Sequence, residues 1–226
     1  MYFPYGREEV TYLKQRDKRL AAVIDAVGRV ERPVDDDLFS SVVRHIIGQQ
    51  ISAKAQATVW RRMQDALGHV TADAVCRAGI GRLQSLGMTR RKAEYILDFA
   101  RKTAEGSFDL QALWHKTDEQ AIEALCALRG IGVWTAEMIL LFGMQRPDIF
   151  SFNDLAIQRG MRMVYHHRQI TRPLFEKYRR RFHPYASVAS LYLWAVAGGA
   201  VPALQAPASQ KKKGSGREIG TGYRIV

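Results

Sequence analysis

The sequence predicts an all-α fold, and three observations support that prediction. Apolar residues recur at helical spacing in several segments. Helix-capping residues precede those segments and glycines follow them. No run alternates between apolar and polar residues for long enough to predict a sheet. Hydrophobic residues make up 47% of the 226 residues, which is enough for a packed core in one large domain or two small lobes.

Capping signals place the predicted helices along the chain. The aspartates at 35–37 precede the first apolar segment, which residues 48–51 interrupt. Further segments follow the candidate N-caps Ser52, Thr71, Thr89 and Thr117, and the last of these forms a capping box with Gln120. Later helices are predicted to start near Val133, to span about 174–181 and to span 185–197. From residue 202 onward the composition becomes small, polar and basic.

Charge narrows the class of partner. Lys and Arg number 34 against 22 Asp and Glu, so the formal net charge is +12, which suits a polyanion such as DNA. The basic clusters lie at 61–62, 90–92, 179–181 and 211–213. A membrane surface is the other candidate, but the sequence has no strongly amphipathic basic helix, lipidation motif or long apolar span. We therefore expect no membrane partner.

The segment 128–136, Leu-Arg-Gly-Ile-Gly-Val-Trp-Thr-Ala, predicts a helical hairpin. Gly130 ends the preceding helix, because glycine tolerates the left-handed conformation found there. Gly132 permits a second tight bend and close backbone approach. Amides at the start of the next helix would then favour an anion, and a DNA phosphate is the natural one. The alternative is an ordinary corner between two core helices, since Gly-x-Gly alone is weak evidence.

A single aspartate, Asp154, follows twenty residues after Trp134. Its first interpretation is a helix N-cap before Leu155, because aspartate is a favoured capping residue. Its second is a catalytic carboxylate held near the nucleotide that the hairpin binds. The two interpretations are compatible, since a capping carboxylate is held still.

These segments resemble the helix-hairpin-helix DNA glycosylase superfamily. The hairpin 128–136 and Asp154 carry that resemblance. Three further segments are similar to the alkylpurine branch, 3-methyladenine DNA glycosylase II: residues 45–52, 86–93 and 184–194. The resemblance runs from about residue 36 to residue 201. It implies a chain without the extra amino-terminal α/β domain of longer relatives.

The resemblance implies a two-lobed fold with the active-site cleft between the lobes. Residues 38–148 would form a helical lobe that carries the hairpin. Residues 1–37 plus 149–204 would form a second helical lobe that carries the catalytic aspartate. Residues 205–226 would be a basic tail, mobile or loosely docked.

The resemblance also implies roles for individual residues. Asp154 matches the catalytic aspartate. The predicted DNA-binding residues are Gly130, Gly132 and Thr135, which match a phosphate clamp, and Gln50, which matches the residue that fills the gap left by a flipped base. The predicted base-pocket residues are Trp134, Trp194 and Met138; the last stands where some relatives have a tyrosine. Ala186 stands where some have an arginine, so the lesion range stays open.

Relatives that also cut the strand place a lysine at the position of Trp134. The resemblance therefore implies a monofunctional enzyme that leaves an abasic site. Cys76 and Cys126 cannot make a four-cysteine cluster, so no iron-sulfur cluster is expected. A structural monovalent cation could bind the carbonyls of Cys126, Leu128 and Ile131.

The expected activity is base excision repair of alkylated purines in double-stranded DNA by a monomer. Two rivals remain: a glycosylase for another lesion, such as hypoxanthine or an oxidised purine, and a non-catalytic DNA-binding module. The amino terminus lacks a signal-peptide pattern, and two cysteines fit a reducing compartment. A bacterial cytoplasmic, nucleoid-associated protein or a nuclear one is expected, not a secreted one.

Overall fold

A computed structural model describes residues 1–35 and 37–207, and every regular element among them is a helix. The prediction of an all-α fold is therefore confirmed for this part of the chain. Part of the predicted tail, with the basic cluster 211–213, and Asp36 lie outside the described residues. Among the described residues, no helix is long and apolar enough to cross a membrane.

The helices divide between two compact units. Unit 1 consists of Met1 and Pro33–Arg146, and unit 2 consists of Tyr2–Arg32 and the chain from Pro147 onward. Unit 1 contains α3 (Leu38–Gly48), α4 (Ala53–Leu67), α5 (Ala72–Ser85), α6 (Arg90–Ala104), a 3-10 helix (Gln111–His115), α7 (Asp118–Cys126) and α8 (Val133–Phe142). Unit 2 contains α1 (Arg7–Arg16), α2 (Lys18–Val27), α9 (Leu155–Tyr165), α10 (Arg172–Phe182) and α11 (Ala186–Ala197).

The predicted N-caps are confirmed. Ser52, Thr71 and Thr89 each accept the amide three residues ahead, and Thr117 forms a reciprocal capping box with Gln120. The aspartate run caps α3 through Asp37, whose carboxylate accepts the Ser40 amide at 2.7 Å. Each of these bonds satisfies a helix-terminal amide, so the sequence signals identify true helix starts.

Some elements differ from the sequence prediction. Helices α1 and α2 were not predicted, although Asp17 caps α2 by accepting the amides of Arg19 and Leu20. Helix α10 begins at Arg172 and not near residue 174, because Thr171 is its N-cap and proline is tolerated in the first turn. Helix α7 ends at Cys126, so Leu128 is buried in the hairpin and not on the helix.

Helices α3 and α8 form the centre of unit 1. Leucine and isoleucine side chains on α8 are fully buried, and its residues contact α3 and α7. Phe39 of α3 stacks on Phe99 of α6, with ring centroids 4.9 Å apart. Burial of an aromatic pair of this kind contributes strongly to a core. The core therefore holds α8 in place, together with the hairpin turn that precedes it.

A polar network lies beside α3 in unit 1. Asp35 accepts the Ser41 hydroxyl at 2.6 Å and pairs with Arg44 at 2.6 Å. His45 Nδ1 lies 2.8 Å from the Ser41 carbonyl oxygen, so this nitrogen carries the proton and donates it. Burial lowers the pKa of His45, although Asp35 acts in the opposite direction.

This arrangement predicts a pH dependence of stability. Because the pKa of His45 is lower in the folded protein than in the unfolded chain, the unfolded chain takes up a proton first as the pH falls. The free energy of unfolding should therefore decrease as the pH is lowered below about 6.5, the ordinary histidine pKa. In His45→Gln, the free energy of unfolding measured with urea should change less between pH 7 and pH 5 than it does in the wild type. His69→Gln, at an exposed position, should leave the slope unchanged; equal slopes for wild type and His45→Gln would contradict the prediction.

Helix α11 is the centre of unit 2. It is buried along almost all of its length and contacts α1, α2, α9 and α10. Gly160 of α9 lies against the Leu193 backbone of α11, where a Cβ atom would collide with the carbonyl. The absence of a side chain at this position therefore permits α9 and α11 to cross closely. This crossing fixes the residues that begin α9 relative to Trp194.

A buried ion pair also stabilises unit 2. Asp17 is 4% exposed, and its carboxylate accepts Arg181 Nη1 at 2.6 Å as well as capping α2. Asp17→Ala would remove the cap and leave the arginine without this carboxylate. We expect a loss of about 3 kcal/mol in the free energy of unfolding, measured with urea. Asp25→Ala removes an exposed pair with Lys14 and should cost less than about 1 kcal/mol. Similar losses for the two variants would contradict this prediction.

Candidate active site

Asp154 lies at the start of α9 in unit 2. Its Oδ1 atom accepts the Ile157 amide at 2.8 Å, so the capping interpretation of this residue is correct. The side chain is nevertheless only 7% exposed, although aspartate is seldom buried unless it is paired. A carboxylate at a helix N-terminus is also favoured by the helix dipole. Asp154 is therefore a buried, oriented anion.

Trp194 of α11 is the second predicted residue in this cluster. Its indole Nε1 donates to Asp154 Oδ1 at 3.1 Å. Asp154 Oδ1 therefore accepts hydrogen bonds from both the indole and the Ile157 amide. Both donors restrict rotation of the carboxylate. The structure thus brings together two residues that are forty positions apart in the chain.

Arg32 is a third member that the sequence analysis missed. Its guanidinium carbon lies over the Trp194 ring, 5.8 Å from the centroid. The residue as a whole is exposed, but burial of its guanidinium lowers its pKa while the Asp154 carboxylate acts in the opposite direction. Arginine stays protonated at neutral pH, so this cluster contains a fixed cation. No local signal marks Arg32, which precedes the segment that resembles the glycosylases.

The hairpin of unit 1 joins α7 to α8, as predicted, but α7 ends at Cys126 and not at Gly130, so the prediction that Gly130 ends this helix is wrong. Gly130 has φ +84°, and its Cα faces the Tyr95 ring so closely that an added Cβ would collide with it. Gly132 is the N-cap of α8 in extended conformation, with open space where a Cβ would lie. First-turn amides point away from the body of a helix and lack intrahelical acceptors. The start of α8 can therefore bind a phosphate oxygen.

A second loop is bonded to the hairpin within unit 1. Gln49 Nε2 donates to the Gly130 carbonyl at 2.8 Å, and Lys92 Nζ donates to the Ile47 and Gln49 carbonyls at 2.8 and 2.6 Å. The neighbouring Gln50 is exposed and has φ +57°. These bonds hold the loop that presents Gln50, whose gap-filling role stays a prediction. Sequence analysis missed Gln49 and Lys92.

Two arginines lie near the hairpin. The guanidinium groups of Arg91 and Arg129 lie over the Tyr95 ring, 5.5 and 5.7 Å from its centroid, and Arg91 also donates to the Tyr95 hydroxyl. Because Tyr95 contacts Gly130, these cations lie close to the turn. Such a surface suits an anionic backbone.

The other predicted residues of unit 1 lie on α8. Trp134 is 41% exposed, whereas Met138, one turn later, is 3% exposed. Thr135 is a buried polar residue in the first turn of the helix. Exposure leaves Trp134 accessible to a ligand. The pocket roles of Trp134 and Met138 stay predictions.

The predicted cation ligands follow the end of α7. Carbonyls at a helix C-terminus lack intrahelical partners, and this turn contains the carbonyls of Cys126, Leu128 and Ile131. The Leu128 carbonyl accepts the Ile131 amide at 3.2 Å and retains a second lone pair. This set of neutral oxygens fits a monovalent cation. No group of three or more His, Cys, Asp or Glu side chains suited to a metal occurs among the residues that the structure describes.

The helices, the Gly130–Gly132 hairpin and the buried aspartate define a class of protein. The chain belongs to the HhH-GPD superfamily of base excision DNA repair proteins, whose family model matches residues 43–184, more than half of the chain.

The chain is also similar to individual proteins of known name. A crystal structure of DNA-3-methyladenine glycosidase from Bacillus halodurans is 31% identical, with a TM-score of 0.79 over 91% of this chain and 96% of that chain. The putative DNA-3-methyladenine glycosylase YfjP of Bacillus subtilis is 29% identical over 77% of this chain and 64% of its own length. DNA-3-methyladenine glycosylase 2 of Escherichia coli is 28% identical over 72% of this chain and 58% of its own length. The chain thus matches less than two thirds of the latter two proteins.

Proposed function

We propose that the protein is a monofunctional DNA glycosylase that removes alkylated purines, of the 3-methyladenine and 7-methylguanine type, from double-stranded DNA. The observation that carries this proposal is the buried Asp154 carboxylate, held by the Ile157 amide and the Trp194 indole. The names of the B. halodurans and B. subtilis relatives support the same lesion class.

Asp154 suits the chemistry of N-glycosidic cleavage. As the C1′–N9 bond breaks, positive charge develops on the sugar, and a fixed carboxylate stabilises that charge without reorganising. The same carboxylate can take a proton from the water that adds hydroxide to C1′. An alkylated purine is already cationic and leaves as a neutral base, so it needs no strong general acid. The product is an abasic site.

Binding and base selection would be divided among the other predicted residues. The amides near Gly130, Gly132 and Thr135 would hold the DNA backbone, which makes binding independent of sequence. Gln50 would fill the space left by a flipped base, offsetting part of the few kcal/mol that unstacking costs. Aromatic faces at Trp134 and Trp194 would attract a cationic base, each by about 0.5–2 kcal/mol. Met138 would line the pocket.

Three further features complete the proposal. Trp134 lacks the amine that would form a Schiff base with the sugar, which supports a monofunctional reaction. A monovalent cation on the carbonyls of Cys126, Leu128 and Ile131 would strengthen the anion-binding turn. The protein would act as a monomer where the genome is held, in a bacterial nucleoid or a nucleus.

Base release from methylated duplex DNA tests the proposal. Chromatography of the freed bases should show 3-methyladenine and 7-methylguanine, and strands should break only after alkaline treatment. Borohydride should trap no covalent complex. Release of hypoxanthine or oxidised purines alone would overturn the lesion class, and DNA binding without release of any base would overturn the enzymatic activity. A trapped complex would overturn the monofunctional reaction.

A further inference from the structure

The loop that presents Gln50 follows the end of α3 in unit 1. Helix α3 ends at Gly48, and the last carbonyls of a helix lack partners within it. Lys92 of α6 supplies a donor, because its Nζ atom bonds to the carbonyls of Ile47 and Gln49 at 2.8 and 2.6 Å. A helix C-terminus also attracts positive charge. Lys92 therefore ties the start of this loop to α6.

The side chain of Gln49 ties the same loop to the hairpin. Its Nε2 atom donates to the Gly130 carbonyl at 2.8 Å. Gly130 lies two residues before Gly132, the N-cap of α8, where we propose that a phosphate binds. The loop is thus bonded both to α6 and to the turn that would hold the DNA backbone.

Gln50 has a backbone conformation that needs support. Its φ of +57° lies in the left-handed region, which residues other than glycine seldom adopt. Such conformations persist where the surroundings hold them. The Gln49 carbonyl belongs to the peptide unit that precedes Gln50, so its bond to Lys92 acts directly on the orientation of this residue. The Gln50 side chain is exposed and can enter a duplex.

Lys92 is partly withdrawn from water, unlike its neighbour in the basic cluster 90–92. Its side chain is half-buried, and burial lowers the pKa of its ammonium. Arg90 is exposed and pairs with Glu94 of the same helix. An ammonium that only attracted DNA would have no reason to be directed at protein carbonyls. The position of Lys92 therefore indicates a role in holding the loop.

We propose that Lys92 is a positioning residue for base flipping, which together with Gln49 holds Gln50 ready to fill the space that the flipped base leaves. The inference rests on the proposed glycosylase function and on the predicted role of Gln50. It deepens that function, since it identifies what prepares the gap-filling side chain before DNA binds. A loop that is already ordered loses little freedom on binding, so more of its contact energy offsets the cost of unstacking.

Single-turnover release of 7-methylguanine from two duplexes tests this role. The lesion lies opposite cytosine in one duplex and opposite a tetrahydrofuran abasic analogue in the other, where no base pair has to be broken. Lys92→Met should slow release about 20-fold from the paired duplex and less than about threefold from the unpaired one, because an unpaired base flips at lower cost. Gln49→Met should show the same difference, whereas Lys92→Arg should retain most of the wild-type rate.

Three comparisons show which step Lys92 affects. Lys102→Met removes the same ammonium from the same helix, where it pairs with Asp98 at 3.0 Å, and should leave both release rates unchanged. Asp154→Asn should slow release equally from the two duplexes, because it acts on bond cleavage and not on flipping. In a Gln50→Ala background, Lys92→Met should cause little further loss, since the side chain that it positions is absent.

A second measurement follows flipping without cleavage. In the Asp154→Asn background, 2-aminopurine beside the lesion should fluoresce more strongly as the stack opens. Lys92→Met should lower that rise about fivefold, while affinity for an undamaged duplex should change less than about twofold because no base is flipped there. Loss of affinity for undamaged DNA would instead be expected if Lys92 only contacted phosphates.

The outcomes separate this inference from the glycosylase proposal. Equal slowing on the two duplexes, unchanged release, an additive loss with Gln50→Ala, or weaker binding to undamaged DNA as the only change would each overturn the role of Lys92. If Lys92→Met fails to fold, Gln49→Met provides the same comparisons with the same criteria. If the wild type releases no base, the glycosylase proposal fails. The fluorescence comparison then decides alone, and an equal rise or no rise in both proteins would overturn the role of Lys92.

Discussion

Asp154→Asn is expected to lower base release by about 10³-fold or more while DNA binding persists. The substitution removes the charge that stabilises the developing sugar cation and the oxygen that can accept a proton from water, and each contribution is large in enzymes. Asparagine is also a good N-cap, so α9 should remain capped. Release from methylated DNA under single-turnover conditions measures the effect.

The control separates a catalytic carboxylate from a structural one. Asp37→Asn makes the same chemical change at the N-cap of α3, where the side chain accepts the Ser40 amide. It should leave the release rate unchanged. Urea unfolding should show near-wild-type stability for both variants. If Asp154→Asn released bases at the wild-type rate, Asp154 would be a helix cap only, and the proposed mechanism would be wrong.

Local features of the structure could be predicted from the sequence because their causes are local. A threonine N-cap needs only the amide three residues ahead, as at Thr117, and a glycine ends a helix through its own backbone angle, as at Gly68 after α4. The hairpin and most helix starts depend on such short-range signals. The same locality explains why Asp154 could be identified as the N-cap of α9.

The surroundings of Asp154 depend on tertiary structure. Trp194 reaches the carboxylate because α9 and α11 cross closely at Gly160, a contact that no local pattern encodes. Its place in the site was predicted only through the resemblance to glycosylases. Arg32 lies over that indole because the amino-terminal segment anchors its backbone, and residues 1–35 gave no predicted element. Long-range packing sets the position of this charge, so local sequence patterns could not predict it.

Gly132→Asp is expected to weaken DNA binding by about 100-fold or more without destabilising the fold. Gly132 has φ −100° and ψ 173°, an extended conformation that aspartate adopts readily at an N-cap, and a Cβ there meets open space. The new carboxylate would accept first-turn amides of α8, which gains a few tenths of a kcal/mol for the helix. It would also take the place of a phosphate and repel it, and like charges brought together cost several kcal/mol.

Two neighbouring variants make the Gly132→Asp result interpretable. Gly132→Ala adds a Cβ without charge and should reduce binding only slightly, whereas Gly130→Ala should destabilise unit 1 because of φ +84° and the Tyr95 ring. Affinity for an abasic-analogue duplex, measured across salt concentrations, should show a shallower salt dependence for Gly132→Asp because a phosphate contact has been lost. If Gly132→Asp bound DNA as tightly as the wild type, the start of α8 would be an ordinary turn between two core helices and not a phosphate site. The basic surface around Tyr95 would then have to bind the DNA backbone instead.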